Sequence, residues 1–150
     1  MSAKSRVAQA LLLTLAVTSL ALVIGCAPSG PTYIDGGSNY TIASVNAVLS
    51  RADAGSMTNR PTSEAAGLRH AALVALRRRG GAAASAADLI TRTFPSDTRS
   101  VPVYVEWAVI GGKRSIVIVE ATGPKNGRLN AKRLWVLDGQ GNIIFASTGK

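Results

Sequence analysis

From Thr41 to Phe94 apolar residues recur at intervals of three and four, and from Val103 to Ala146 they alternate with polar residues or run continuously. The first spacing predicts helices and the second strands. In Thr41–Ala54, Ile42, Val45 and Leu49 fall at i, i+3 and i+7, and Gly55 stands where a C-terminal cap belongs. A second helix opens at Arg60-Pro61-Thr62-Ser63-Glu64 with Thr62 or Ser63 as its cap. Its stripe is Ala65, Leu68, Ala72 and Leu76, and Arg77-Arg78-Arg79-Gly80-Gly81 closes it. A third, weaker pattern from Ala83 to Phe94 buries Ala86, Leu89 and Ile90 and stops at Pro95. Val103–Ile110 and Ser115–Ala121 are β-branched runs joined by Gly111-Gly112-Lys113-Arg114, a hairpin signature. The polar loop Thr122–Asn130 leads to Arg133–Leu137, and Gly139-Gln140-Gly141 turns the chain into Asn142–Ala146. Helices first and hairpin-linked strands afterwards predict an α+β domain over residues 40–150: two to three N-terminal helices packed on one face of a four-stranded antiparallel sheet. Val117 and Val119 alternate with Ile116 and Ile118, so the sheet is apolar on both faces. The second face therefore needs a cover, whether more helix, a curled sheet, a second copy or a ligand.

The longest apolar run lies before this domain. Val7–Ile24 is broken only by Gln9, Thr14, Thr18 and Ser19, and Lys4 and Arg6 precede it. Basic start and apolar core form a secretory signal pattern, with the cations left on the cytoplasmic side. The run ends in Val23-Ile24-Gly25-Cys26, which resembles the lipobox of bacterial lipoproteins. That resemblance implies a diacylglycerol on the Cys26 sulfur, cleavage before Cys26, and loss of residues 1–25 as a signal peptide. The competing reading is an uncleaved signal anchor, since about 18 apolar residues just span a bilayer. Cys26 is the single cysteine of a chain bound for an oxidising compartment, so it has no internal disulfide partner. Either way the body is held at the cell membrane, facing outside the cytoplasm. The segment Ala27–Asn39, APSGPTYIDGGSN, is rich in Pro, Gly and Ser. With Cys26 it is predicted to form a flexible tether, residues 26–39, with a reach of about 40 Å when extended.

Charge changes the expected partners. Without Lys4 and Arg6 the chain carries 15 cations against 8 acids, a net charge of +7. Export moves the expected counterpart of a basic domain from nucleic acid to anionic headgroups or acidic envelope polymers. The expected partners are thus the membrane, through the anchor at Cys26, and an envelope protein or anionic polymer, with no nucleic acid. Lys125, Arg128, Lys132 and Arg133 in and beside the long loop are the candidate anion or partner site. Lys113 and Arg114 fall at the other end of the same strand. Arg77-Arg78-Arg79 could meet a polyanion or a headgroup, although cations in a last helical turn also complement the helix dipole.

Catalytic chemistry finds little foothold. His70 is the single histidine, too few for a metal cluster, and there is no G-x-S-x-G. Gly111-Gly112-Lys113 ends like a phosphate loop, but Trp107 stands where the earlier glycine belongs and Arg114 where Ser or Thr does. Asp138-Gly139-Gln140-Gly141-Asn142 begins like a calcium loop and then runs into a strand with no closing Glu. No metal or cofactor is expected. The alternative is a small hydrolase using Glu106, Glu120 and His70. A turn centred between Gly112 and Lys113 sets Glu106 opposite Val119, and otherwise both acids point to solvent. Trp107, Trp135, Tyr104 and Phe145 read as core. The favoured expectation is a non-enzymatic binding module in the envelope.

Overall fold

The computed structural model describes residues 30–150; the expected signal peptide and Cys26 lie outside them. The described chain runs β1 (Thr32–Tyr40), α1 (Ile42–Val45), α2 (Ala47–Arg51), α3 (Ala65–Arg79), α4 (Gly81–Thr93), β2 (Ser100–Ile110), β3 (Lys113–Thr122), β4 (Ala131–Asp138) and β5 (Ile143–Gly149). The fold is α+β, and its strands form one sheet in the order β1-β2-β3-β4-β5. β1 pairs parallel to β2; every later pair is antiparallel.

Three expectations are corrected. The first concerns the tether, because Thr32–Tyr40 is a fifth strand rather than flexible chain. Gly36 and Gly37, at φ 81° and 103°, interrupt its ladder, and the register with β2 shifts between Asp35 and Asn39. That glycine bulge hides the strand from any search for alternation. Secondly, the helix expected over Thr41–Ala54 is two short ones that break at Asn46. A capping box between Thr41 and Ser44 starts the first of them. Thirdly, the helices do not share one face of the sheet. Val45, Val48 and Leu49 of α1 and α2 pack with Val117, Val119, Leu134 and Val136. Leu76 of α3 and Ala86, Leu89 and Ile90 of α4 pack with Val105, Ile116, Ile118 and Leu137. Since side chains alternate across a strand, these sets lie on opposite faces and the sheet is covered on both sides. β5 stays at the rim, with Ile143 and Ile144 exposed.

Local chemistry fixes the connections. Gly111 and Gly112 both have positive φ, 56° and 81°, which makes the β2–β3 hairpin a two-residue turn matched to the twist of its strands. The turn lies one residue earlier than expected, so Glu106 faces Val117 instead of Val119. Asp138 accepts from the backbone N–H groups of Gln140 and Asn142 and so shapes the β4–β5 turn. Gly80 and Gly81 fold α4 back on α3, and Arg77 reaches across to Asp88 at 2.9 Å.

Candidate functional site

The polar residues of the sheet collect into two buried clusters, one on each face. Glu106 sits in the middle of β2 and is wholly buried. It accepts from the Tyr104 hydroxyl at 2.6 Å and from the Tyr40 hydroxyl at 3.1 Å, while Arg51 of α2 donates to Tyr40 at 2.7 Å. The cluster ties the end of β1 and the end of α2 to the second strand. Burial first, and then the bond to Glu106, push the Tyr104 phenol well above its ordinary range. An unfolded tyrosine ionises near pH 10, whereas the folded one keeps its proton, so stability is lost as pH rises above that value. Tyr33, also raised by burial, acts in the same direction. The expected result is that Tyr104→Phe loses less stability than the parent between about pH 9 and pH 11 in urea titrations. Parallel alkaline limbs for the two proteins would contradict this assignment.

Glu120 is the centre of the second cluster and is likewise wholly buried. Arg69 of α3 donates to it at 2.6 Å, Arg133 of β4 at 2.9 Å and the Trp135 indole N–H at 2.9 Å. Arg133 also bonds Asp97 and, at 3.0 Å, the Ser100 hydroxyl. Burial alone would raise Asp97; bonds from Ser100 and the Arg99 N–H, with Arg133 and Arg69 nearby, outweigh it and hold the carboxyl below its usual range. The Trp135 ring lies 4.9 Å from Phe94 and 4.7 Å from the Arg133 guanidinium. Two guanidiniums thus meet two carboxylates, and the cluster is electrically balanced.

Neither acid points to solvent, and they do not form a carboxylate pair. Glu106 shares its face with Val117, Glu120 shares the opposite face with Ile118, and His70 is exposed on α3. Sequence alternation separates the two acids, but Tyr40 lies 66 residues from Glu106 and Arg69 51 residues from Glu120, and neither partner carries a local signal.

The four loop cations are dispersed too. Arg128 donates to the Asn59 carbonyl at 2.7 Å, and Lys132 to the last carbonyls of α2, Leu49 and Ala52. Arg133 belongs to the Glu120 cluster. Lys125 lines an open cleft beside Arg99 and Asn126, and Lys132 borders a separate one beside Arg51 and Lys150. Three of the four therefore hold the fold together, and they do not make one patch.

Thr62 departs from the capping role. A 3-10 turn at Thr62–Glu64 precedes α3, and the Thr62 hydroxyl donates instead to Pro124 and accepts from the Gly127 N–H, which fastens the long loop to the start of the helix.

Among the described residues no group of three or more His, Cys, Asp or Glu side chains is placed to hold a metal, and no helix is long and apolar enough to cross a membrane. No protein-family model, curated protein or solved structure matches the chain.

Proposed function

We propose that the chain is a lipid-anchored extracytoplasmic protein whose α+β domain is a non-enzymatic binding module for an anionic polymer of the cell envelope. The anchor rests on the sequence Val23-Ile24-Gly25-Cys26 behind its apolar run. The binding role rests on one observation, the uneven use of charge. All eight acids of the chain fall within the domain. Asp35, Glu64, Asp88, Asp97 and Glu120 are in ion pairs, Glu106 is closed in by tyrosines, and Asp53 and Asp138 are turned onto backbone N–H groups. The cations are not matched in this way. Arg78, Arg79, Arg92, Arg99, Lys113 and Lys125 make no ion pair among the described residues. The field outside the domain is therefore positive, as electrostatic capture of a polyanion requires.

Membrane-extracted protein in neutral detergent tests both halves. The N-terminal peptide is expected to begin at Cys26 with added acyl mass. Dextran sulfate is expected to bind with a Kd that weakens about tenfold between about 50 and 300 mM salt. Failure to bind, or binding indifferent to salt, overturns the polymer reading. An unmodified peptide beginning at Met1 overturns the anchor.

A further inference from the structure

The first strand begins only six residues after Cys26, and the chain already touches α3 at Gly30, where an added Cβ would come within 2.5 Å of the Ala75 Cβ. Four Cα steps separate Cys26 from Gly30, a reach of at most about 15 Å. A tether of that length holds α3 close to the headgroups instead of letting the domain hover. We propose that the outer face of α3 lies on the membrane and binds the anionic lipid headgroups of the leaflet that carries the anchor.

This inference rests on the anchor proposed above, and the composition of the helix supports it independently. α3 contains no acid along its 15 residues. Its outward stripe is small or apolar, with Gly67 and Ala71 exposed and Val74 and Ala75 half-buried, and His70 beside them. At its end Arg77 is paired with Asp88, whereas Arg78 and Arg79 are exposed and make no ion pair among the described residues. Arg79 instead lies over the Tyr33 ring at 5.8 Å, which places its charge beside the start of β1, two residues beyond Pro31. Asp53, which borders the same cleft as Gly30 and Pro31, is turned onto the Gly55 N–H at 2.8 Å. A cationic end on an apolar stripe suits an anionic interface, where each surface cation and each acyl chain add to one attachment.

Thiol labelling of the full chain decides the matter, because a lipidated Cys26 has no free thiol. Ala71→Cys on α3 and Ala146→Cys on β5, each exposed in the structure, are reconstituted in vesicles of phosphatidylglycerol and phosphatidylcholine. Four strand spacings, about 19 Å, separate β5 from β1. With an impermeant maleimide, Ala71→Cys is expected to react about fivefold or more slowly than Ala146→Cys. Adding Arg78→Glu and Arg79→Glu, or using phosphatidylcholine alone, is expected to bring the two rates together. Equal rates in the anionic vesicles overturn the proposal while leaving the anchor intact. Label on Cys26 of the unsubstituted chain overturns the anchor, and the proposal with it.

Discussion

Glu120→Gln lowers the unfolding free energy by about 3–5 kcal/mol, the range for removing one partner of a buried ion pair. The glutamate has no exposed surface, and Arg69 opposite it has 7% of its side chain exposed. An amide in its place keeps the shape, offers one acceptor where the carboxylate offered two, and turns an N–H₂ toward guanidinium donors. One Arg69 nitrogen already lacks a partner in the folded protein, so no spare acceptor stands ready. Arg133 suffers less, since Asp97 and Ser100 remain and a quarter of its side chain reaches solvent. The loss appears as a lower urea midpoint at unchanged slope. Replacing both partners, Glu120→Leu with Arg69→Met, removes the stranded charge as well. The double variant is expected to lose at least about 1 kcal/mol less than the two single losses combined. Additive losses, or a Glu120→Gln variant within about 1 kcal/mol of the parent, would show that the pair is not what holds α3 to the sheet.

The same two acids mark how far the sequence could be read. Long β-branched runs carry their own signal, so β2 to β5 follow from residues such as Val117–Val119, while Gly111-Gly112 marks the β2–β3 turn only to within one residue. The stripe of α3 is legible as well, and that of α4 more weakly. Alternation also sets Glu106 with Ala108 and Glu120 with Ile118, on opposite faces. What a local pattern lacks is the partner. Arg69 meets Glu120 across 51 residues and Tyr40 meets Glu106 across 66, through a crossover whose path is set by the packing of four helices. Without those partners the acids read as solvent-facing, or as a catalytic pair.

β1 escapes for a related reason. Its outward residues are exposed, its middle is a glycine bulge, and its stability comes from pairing with β2 rather than from its own apolar content. With β1 in place the unstructured stretch expected over residues 26–39 shortens, and only a few residues separate Cys26 from folded chain. In the long loop Arg128, Lys132 and Arg133 are bound into the fold, which is why the surface proposed above lies on α3 instead.

Glycine to alanine changes sign with position, and two such substitutions test the packing of the loop against that of the helix. At Gly123 an added Cβ would stand 2.0 Å from the Arg128 carbonyl oxygen and 3.0 Å from the Thr62 methyl group. The obstacle is backbone, so the loop itself must move. Its movement pulls on the Leu129 N–H bond to Arg60, the Thr62 N–H bond to Gly127, and the seat of Leu129 in the core. Two or three such bonds, at about 1 kcal/mol each, put the loss for Gly123→Ala at about 3 kcal/mol. Gly67, inside α3, meets nothing within 4 Å and has ordinary helical backbone. Alanine there restricts only the unfolded chain and is expected to add about 0.5–1 kcal/mol. Urea midpoints moving in opposite directions would establish that the loop from Gly123 to Asn130 is clamped to the start of α3. A Gly123→Ala midpoint equal to the parent's would mean that the loop yields freely, and the clamp formed by Thr62 would then carry no weight in the fold.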